Sequence, residues 1–169
     1  MRSVKLFIVS ILSIFIVLAL IGLLLPSKVT LSKSVLLDAS LRETGAMIND
    51  FSKWKNWYPP MQKENVNVVI NNSSTISLID NAGKNITLQI ILDEANEIDV
   101  KLTTQASQEE VIYQFLLLRQ KDEKTQLTLN VNTFLKWYPW EKIKGVLMDK
   151  MSGPQYLSIL NQIKHAVEK

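Results

Sequence analysis

One histidine, no cysteine and 16 acidic side chains set narrow limits on the chemistry this chain of 169 residues can perform. His165 lies about 200° around a helix from both Ile163 and Val167, counting ~100° per residue, so it points away from an apolar stripe. Without a second His or any Cys there is no usual metal-ligand set, no Cys-His pair and no Ser-His-Asp arrangement. Paired-carboxylate catalysis needs two acids converging in a desolvated pocket, whereas Asp93, Glu94, Glu97 and Asp99 fall in turns or on the polar parity of a strand. Asp50 ends a helical stretch beside an aromatic loop and is the best single acid, though it reads more simply as a local hydrogen-bonding residue. No catalytic residue, metal site or cofactor is expected.

What the sequence concentrates instead is aromatic surface. Trp54, Trp57 and Tyr58 stand directly before Pro59-Pro60, Tyr113 and Phe115 share one parity of a strand, and Trp137, Tyr138 and Trp140 surround Pro139. Such residues suit a cage around an apolar ligand, and more commonly they fill cores. Trp137, Tyr138 and Trp140 also have the amphipathic character of residues at a membrane interface.

The elements that must position these groups begin with LFIVSILSIFIVLALIGLLL, Leu6 to Leu25, which carries no charge. At ~1.5 Å per residue it is long enough for the ~30 Å hydrocarbon core of a bilayer, and it lacks the polar face of a soluble helix. Leucines run up to Pro26 with no small-residue cleavage site, so residues 1–27 are expected to be an uncleaved transmembrane anchor and residues 28–169 one domain. The amino terminus, Arg2 and Lys5 precede the helix and Lys28 and Lys33 follow it, which places the N-terminus in the cytoplasm and the domain on the exported side. The basic residues elsewhere form no Arg-rich stripe and the net charge is only +3, which argues against nucleic acid as a partner.

Within the domain, Val29 to Leu37 alternates as a half-buried strand, with Lys33 the exception on the inward parity. Asp38-Ala39-Ser40 supplies capping side chains for a helix from Leu41 to Phe51, with Leu41, Met47, Ile48 and Phe51 on one face, and the aromatic loop ends it at Pro59-Pro60. Six β-type runs follow, Val66–Ile70, Thr75–Ile79, Ile86–Leu92, Glu97–Thr104, Val111–Leu118 and Gln126–Thr133, divided by hairpin-length turns. Ile86, Leu88, Ile90 and Leu92 are expected on one sheet face, as are Ile98, Val100 and Leu102. From Glu141 the period becomes helical through Ile143, Val146, Leu147 and Met151, then Tyr156, Leu160, Ile163 and Val167, with a kink at Ser152-Gly153-Pro154. The expected class is α+β, an antiparallel meander with one wet face and a long C-terminal helix over the other.

Asp38-Ala39-Ser40-Leu41, Met47-Ile48-Asn49-Asp50-Phe51 and Trp54-x-x-Trp57 at the front, with Trp137-Tyr138-Pro139-Trp140, Leu147 to Met151 and Gly153-Pro154-Gln155-Tyr156 at the back, resemble the SRPBCC superfamily of START-like and polyketide-cyclase-like proteins, in particular its membrane-anchored bacterial members. Thr44 and Gly45 depart from the Val and large aromatic usual there, which leaves room beneath that helix. The resemblance implies the helix-grip fold, a curved antiparallel sheet wrapped on the C-terminal helix, with a lipid or other hydrophobic small molecule held between them. On that basis Trp54, Trp57, Tyr58, Ile90, Leu102, Tyr113, Phe115 and Trp137 are the expected ligand-binding residues. A cyclase- or dehydrase-type enzyme acting on an apolar substrate, and a structural or partner-binding domain with a filled core, remain the alternatives.

Overall fold

A computed structural model describes residues 2–105, 110–136 and 138–168. Helix α1 (Arg2–Leu24) is followed by β1 (Lys28–Leu37), α2 (Leu41–Ile48) and two short 3-10 turns, Phe51–Asn56 and Pro59–Gln62. Six strands then run as β2 (Val66–Asn72), β3 (Thr75–Asp80), β4 (Asn85–Glu94), β5 (Glu97–Thr104), β6 (Glu110–Arg119) and β7 (Thr125–Phe134), before α3 (Pro139–Val167) closes the fold. The seven strands form one antiparallel sheet in the order β1-β7-β6-β5-β4-β3-β2. This is the helix-grip architecture, with an N-terminal helix of which Val4–Leu24 is long and apolar enough to cross a membrane.

Period-2 patterning sets the register. One inward row crosses all seven strands as Val29, Thr133, Val111, Leu102, Leu88, Ile76 and Ile70. A second runs Leu31, Val131, Tyr113, Val100 and Ile90, and a third Lys33, Leu129, Phe115 and Ile98. Helix α3 lies over the β1–β7 side of this concave face. Its C-terminal half buries Tyr156, Ile159, Leu160 and Ile163 against the sheet. Lys33 stays inward because α3 supplies its counter-charge: its Nζ is 2.9 Å from Asp149 Oδ1, and Gly153 leaves space for the lysine stem, whose Cε would lie 3.2 Å from a Cβ there.

Helix α2 starts as the capping side chains direct. Ser40 Oγ accepts from Glu43 N and the Glu43 carboxylate accepts from Ser40 N, a reciprocal capping box. The helix ends at Ile48 rather than Phe51, because Asp50 caps the next turn instead, accepting from Ser52 N at 3.0 Å. Thr44 is fully buried with its hydroxyl on Ser40 O, and a Cβ at Gly45 would find only Leu117 at 3.9 Å, so room does exist under α2.

Two further expectations are corrected. A bulge between Ile90 and Leu92 pairs Leu92 with Asp99, so Leu92 leaves the face shared by Ile86, Leu88 and Ile90. In the first half of α3, Ile143, Leu147 and Met151 are exposed, and among the described residues Lys142, Gly145 and Gly153 are buried there, the Val146 side chain lying outside them. Small residues let that half of the helix approach β1 and the β7 end closely: a Cβ on Gly145 would collide with Leu135 and sit 3.0 Å from Val29 Cγ2. Helix α3 runs as one long helix with Ser152-Gly153-Pro154 inside it.

Candidate functional site

The sequence places four aromatics just after α2, and the 3-10 turns fold them inward as one cluster. Phe51 and Trp54 centroids are 5.0 Å apart, Trp54 and Trp57 4.4 Å, and Trp54 and Tyr58 5.0 Å, each in tilted or edge-on geometry. Trp54 and Trp57 are 0% exposed. Both indole N–H groups are satisfied by α2, Trp54 Nε1 donating to Ile48 O at 2.6 Å and Trp57 Nε1 to Met47 O at 3.2 Å. That satisfaction is what allows such groups to be buried without a polar ligand. The cluster joins the sheet through Trp57 and Phe115, centroids 6.3 Å apart.

Of the sequence-derived site residues, Trp54, Trp57, Tyr58, Phe115 and Tyr113 are therefore brought together as packed interior. Tyr113 also meets Tyr156 of α3, ring centroids 6.1 Å apart. Leu102 is half-buried in the inward row, Ile90 lines an open cleft, and Trp137 lies outside the described residues. Burial pushes the Tyr58 hydroxyl up to about 12 despite its hydrogen bond with Tyr113, and burial likewise holds Tyr113 well above the ordinary tyrosine value, helped by Tyr58. Tyr156 is raised by burial too. These hydroxyls remain protonated near neutrality and are donors, not bases.

The open cleft is the feature that the sequence did not announce. It encloses about 1180 Å³ between the two 3-10 turns and the far end of the sheet, β2 to β4. Phe51 and Met61 form one wall, and Val66, Val68, Ile70, Ile76 and Ile90 the floor. The geometry follows from the sheet's width. The inward row is sealed at Leu88 and Ile76 by the core, but neither α3 nor the aromatic turn reaches its last member, so Ile70 is 71% exposed although it points to the concave side. Val68, inward opposite Leu78, is 40% exposed. An inward-facing, uncovered strand end with a polar rim has the form of a ligand site.

That rim includes Asn49, Asp50, Ser52, Lys55, Lys63, Glu64 and Asp93. Asp50 Oδ1 accepts from the Ser52 hydroxyl at 2.6 Å as well as from Ser52 N, and its Oδ2 lies 3.7 Å from Lys53 Nζ. The Ser52 hydroxyl is the main reason its carboxyl sits below the usual range, so Asp50 is an ionised cap and a poor proton donor. A second cavity of about 300 Å³ lies between the first half of α3 and the ends of β6 and β7, lined by Phe134, Leu135, Gly145, Met148 and Met151 among others. Among the described residues no group of three or more His, Cys, Asp or Glu side chains is placed to hold a metal ion.

No family model and no curated protein matches the sequence. Solved structures do match the fold. The Zhui aromatase/cyclase from Streptomyces sp. R1128 superposes with a TM-score of 0.62 at 16% identity, covering 83% of this chain and 94% of that one. A START superfamily protein from Mycobacterium smegmatis gives 0.59 at 16% identity, over 83% and 97%. A protein of unknown function from Staphylococcus aureus gives 0.62 at 12% identity, over 83% and 94%. At these identities the likeness establishes a START-like, SRPBCC-type fold and leaves the activity to the site.

Proposed function

We propose that this chain is a membrane-tethered binding protein for a lipid-like or other hydrophobic small molecule, and that the ligand seats in the cleft between the aromatic turn and β2–β4. The observation that carries this reading is Ile70, which with Val68 points inward and yet has no protein covering it. A ligand laid over this floor contacts Phe51, Met61, Ile76 and Ile90 while its polar end meets the rim of Ser52, Lys55 and Asn49. The smaller cavity beside α3 matches the location implied by the family resemblance, between sheet and C-terminal helix, but at about 300 Å³ it takes only a small group. A dehydrase or cyclase mechanism draws no support from the rim, whose central acid is held ionised by Ser52.

The tether is α1, whose stretch Val4–Leu24 is strongly apolar, free of charge from Leu6 onward and little buried against the domain. The charges of Arg2 and Lys5 against Lys28 and Lys33 favour export of the domain. Native mass spectrometry of protein extracted from its own membrane tests the reading. A co-purifying apolar molecule, displaced by a fluorescent fatty acid, is the expected result. A chain that carries nothing and does not bind the probe overturns it.

A further inference from the structure

Helix α3 has a second apolar face that the core does not use. At ~100° per residue, Trp140, Ile143, Leu147 and Met151 fall within an arc of about 80°, on the opposite side from Gly145 and Tyr156, which face the sheet. All four are exposed, Leu147 at 49% and Met151 at 71%. Tyr138 stacks on Trp140 at the start of this stripe, centroids 5.2 Å apart and planes 15° apart. For a helix in a soluble domain such a face is anomalous, since the same helix already buries its other side.

The fold also fixes where this stripe lies. Lys142, itself buried, donates from Nζ to Leu25 O at 2.9 Å, supplying a cation and a hydrogen bond at the C-terminal end of α1. Leu135 N donates to Ser27 O at 2.8 Å, clamping the same exit segment to the end of β7. The first turns of α3 are thus held where the chain leaves α1, with α1 packed beside α3. Lys150 adjoins the stripe on the helix and is exposed, as basic residues are around an apolar face that meets lipid headgroups.

Resting on the membrane-tether reading above, we propose that the first half of α3 lies on the bilayer that α1 spans, with Trp140, Ile143, Leu147 and Met151 inserted at the level between headgroups and acyl chains. The domain is then held against the surface instead of swinging on the short Pro26-Ser27 link, and the aromatic pair Tyr138–Trp140 sits at the interface, where amphipathic rings partition. The expected depth is about 5–10 Å below the headgroup boundary, the ordinary position of an interfacial amphipathic helix.

The absence of cysteine makes the test direct. Single variants Leu12→Cys, Leu147→Cys, Met151→Cys and Gln89→Cys of the full chain are spin-labelled in nanodiscs of phosphatidylcholine with a minority of phosphatidylglycerol, and collision with oxygen is compared with collision with a water-soluble nickel chelate. Labels at 147 and 151 should favour oxygen, as the label at 12 does, while the label at 89, on the outer sheet face, favours nickel. If 12 is in lipid but 147 and 151 match 89, this inference fails and the tether stands. Shielding of 147 and 151 from both reagents means a protein partner covers the stripe, and overturns it equally. If the label at 12 itself favours nickel, the tether reading fails and this one with it.

Discussion

Replacing Ile70 by Asp separates a binding role for the cleft from a structural one. Ile70 is 71% exposed on β2, which is the last strand of the sheet, so the free protein gains little from its side chain. An exposed edge-strand change of this type costs about 1 kcal/mol or less. A ligand covering Ile70 removes the remaining apolar surface from water. Full burial of such a side chain is worth about 1.5–3 kcal/mol, so the uncovered part corresponds to roughly 1–2 kcal/mol, or about 5- to 30-fold in affinity. A carboxylate under the ligand forfeits that gain and must also be desolvated, which brings the expected loss to about 100-fold. Val69→Asp is the internal control, because Val69 lies one residue away on the outward parity, opposite Ser77. Titration of an environment-sensitive fluorescent fatty acid against nanodisc-embedded protein, with empty nanodiscs subtracted, measures the ratio. Equal affinities for the two variants, with urea midpoints unchanged, refute the placement of the ligand over β2.

Four further outcomes test the packing around the site. Trp54→Phe removes the indole donor to Ile48 O, leaves a buried carbonyl unpaired and should cost about 1–3 kcal/mol, a fall of roughly 4–10 °C in melting temperature; an unchanged Tm with lost ligand binding would mean that Trp54 belongs to a cage after all. Two glycines should respond with opposite signs: Gly45→Ala, with only Leu117 at 3.9 Å, raises stability by about 0.5–1 kcal/mol, whereas Gly145→Ala drives a methyl into Leu135 and lowers it by about 1–2 kcal/mol after the helix-propensity gain, both read by urea unfolding. The tyrosine pair sets an alkaline limit. Tyr58 is raised in the folded state from 10.0 to about 12, so its contribution is complete below the unfolded value and disappears as pH climbs through that interval; Tyr58→Phe should flatten the fall in urea midpoint there, and an unaltered slope would place the alkaline sensitivity elsewhere. Lys33→Met should change stability by no more than about 1 kcal/mol, because the Asp149 carboxylate it leaves is more than half exposed; a larger loss in urea unfolding would show that the pair holds α3 on the sheet.

Much of the fold was legible because the runs that became β4 and β5 alternate with period 2 over most of their length and the strands are separated by turn signals, so register follows from which parity is buried. The bulge in β4 was not legible, since Ile90, Ile91 and Leu92 are all apolar and no alternation remains to reveal an extra residue. The start of α2 was visible in the capping side chains of Asp38-Ala39-Ser40, but its end was displaced by Asp50, whose side chain starts a new turn and so withdraws Phe51 from the helix. Of the aromatic residues singled out, Trp54, Trp57, Tyr58, Tyr113 and Phe115 pack together while Tyr138 and Trp140 pair elsewhere; what periodicity cannot supply is whether a ring meets another ring or a ligand. Here both tryptophan N–H groups find carbonyls of α2, and a cluster that satisfies itself leaves the cavity to form farther along the sheet.

The same limitation produced the misplaced face of α3, and it links the two apolar helix surfaces that the protein leaves uncovered, those of α1 and α3. Hydrophobic period reports only that one side of a helix avoids water, and a bilayer accepts Ile143, Leu147 and Met151 as readily as a protein core does. The side that actually packs on the sheet in this half is marked instead by Gly145, Gly153 and a buried lysine, residues that hydropathy scores as neutral or polar. Lys142 resolves the ambiguity: its ammonium reaches Leu25 O only if that side of α3 faces the end of α1, which turns the apolar stripe outward. A single buried cation therefore carries more information about the helix's orientation than the four apolar residues beside it, and Lys142→Met, which keeps the stem but not the donor, should loosen the domain from its tether without unfolding it. Increased mobility of a spin label at position 151, with an unchanged urea midpoint, is the signature; unchanged mobility would mean that the Leu135–Ser27 backbone contact suffices to hold the two together.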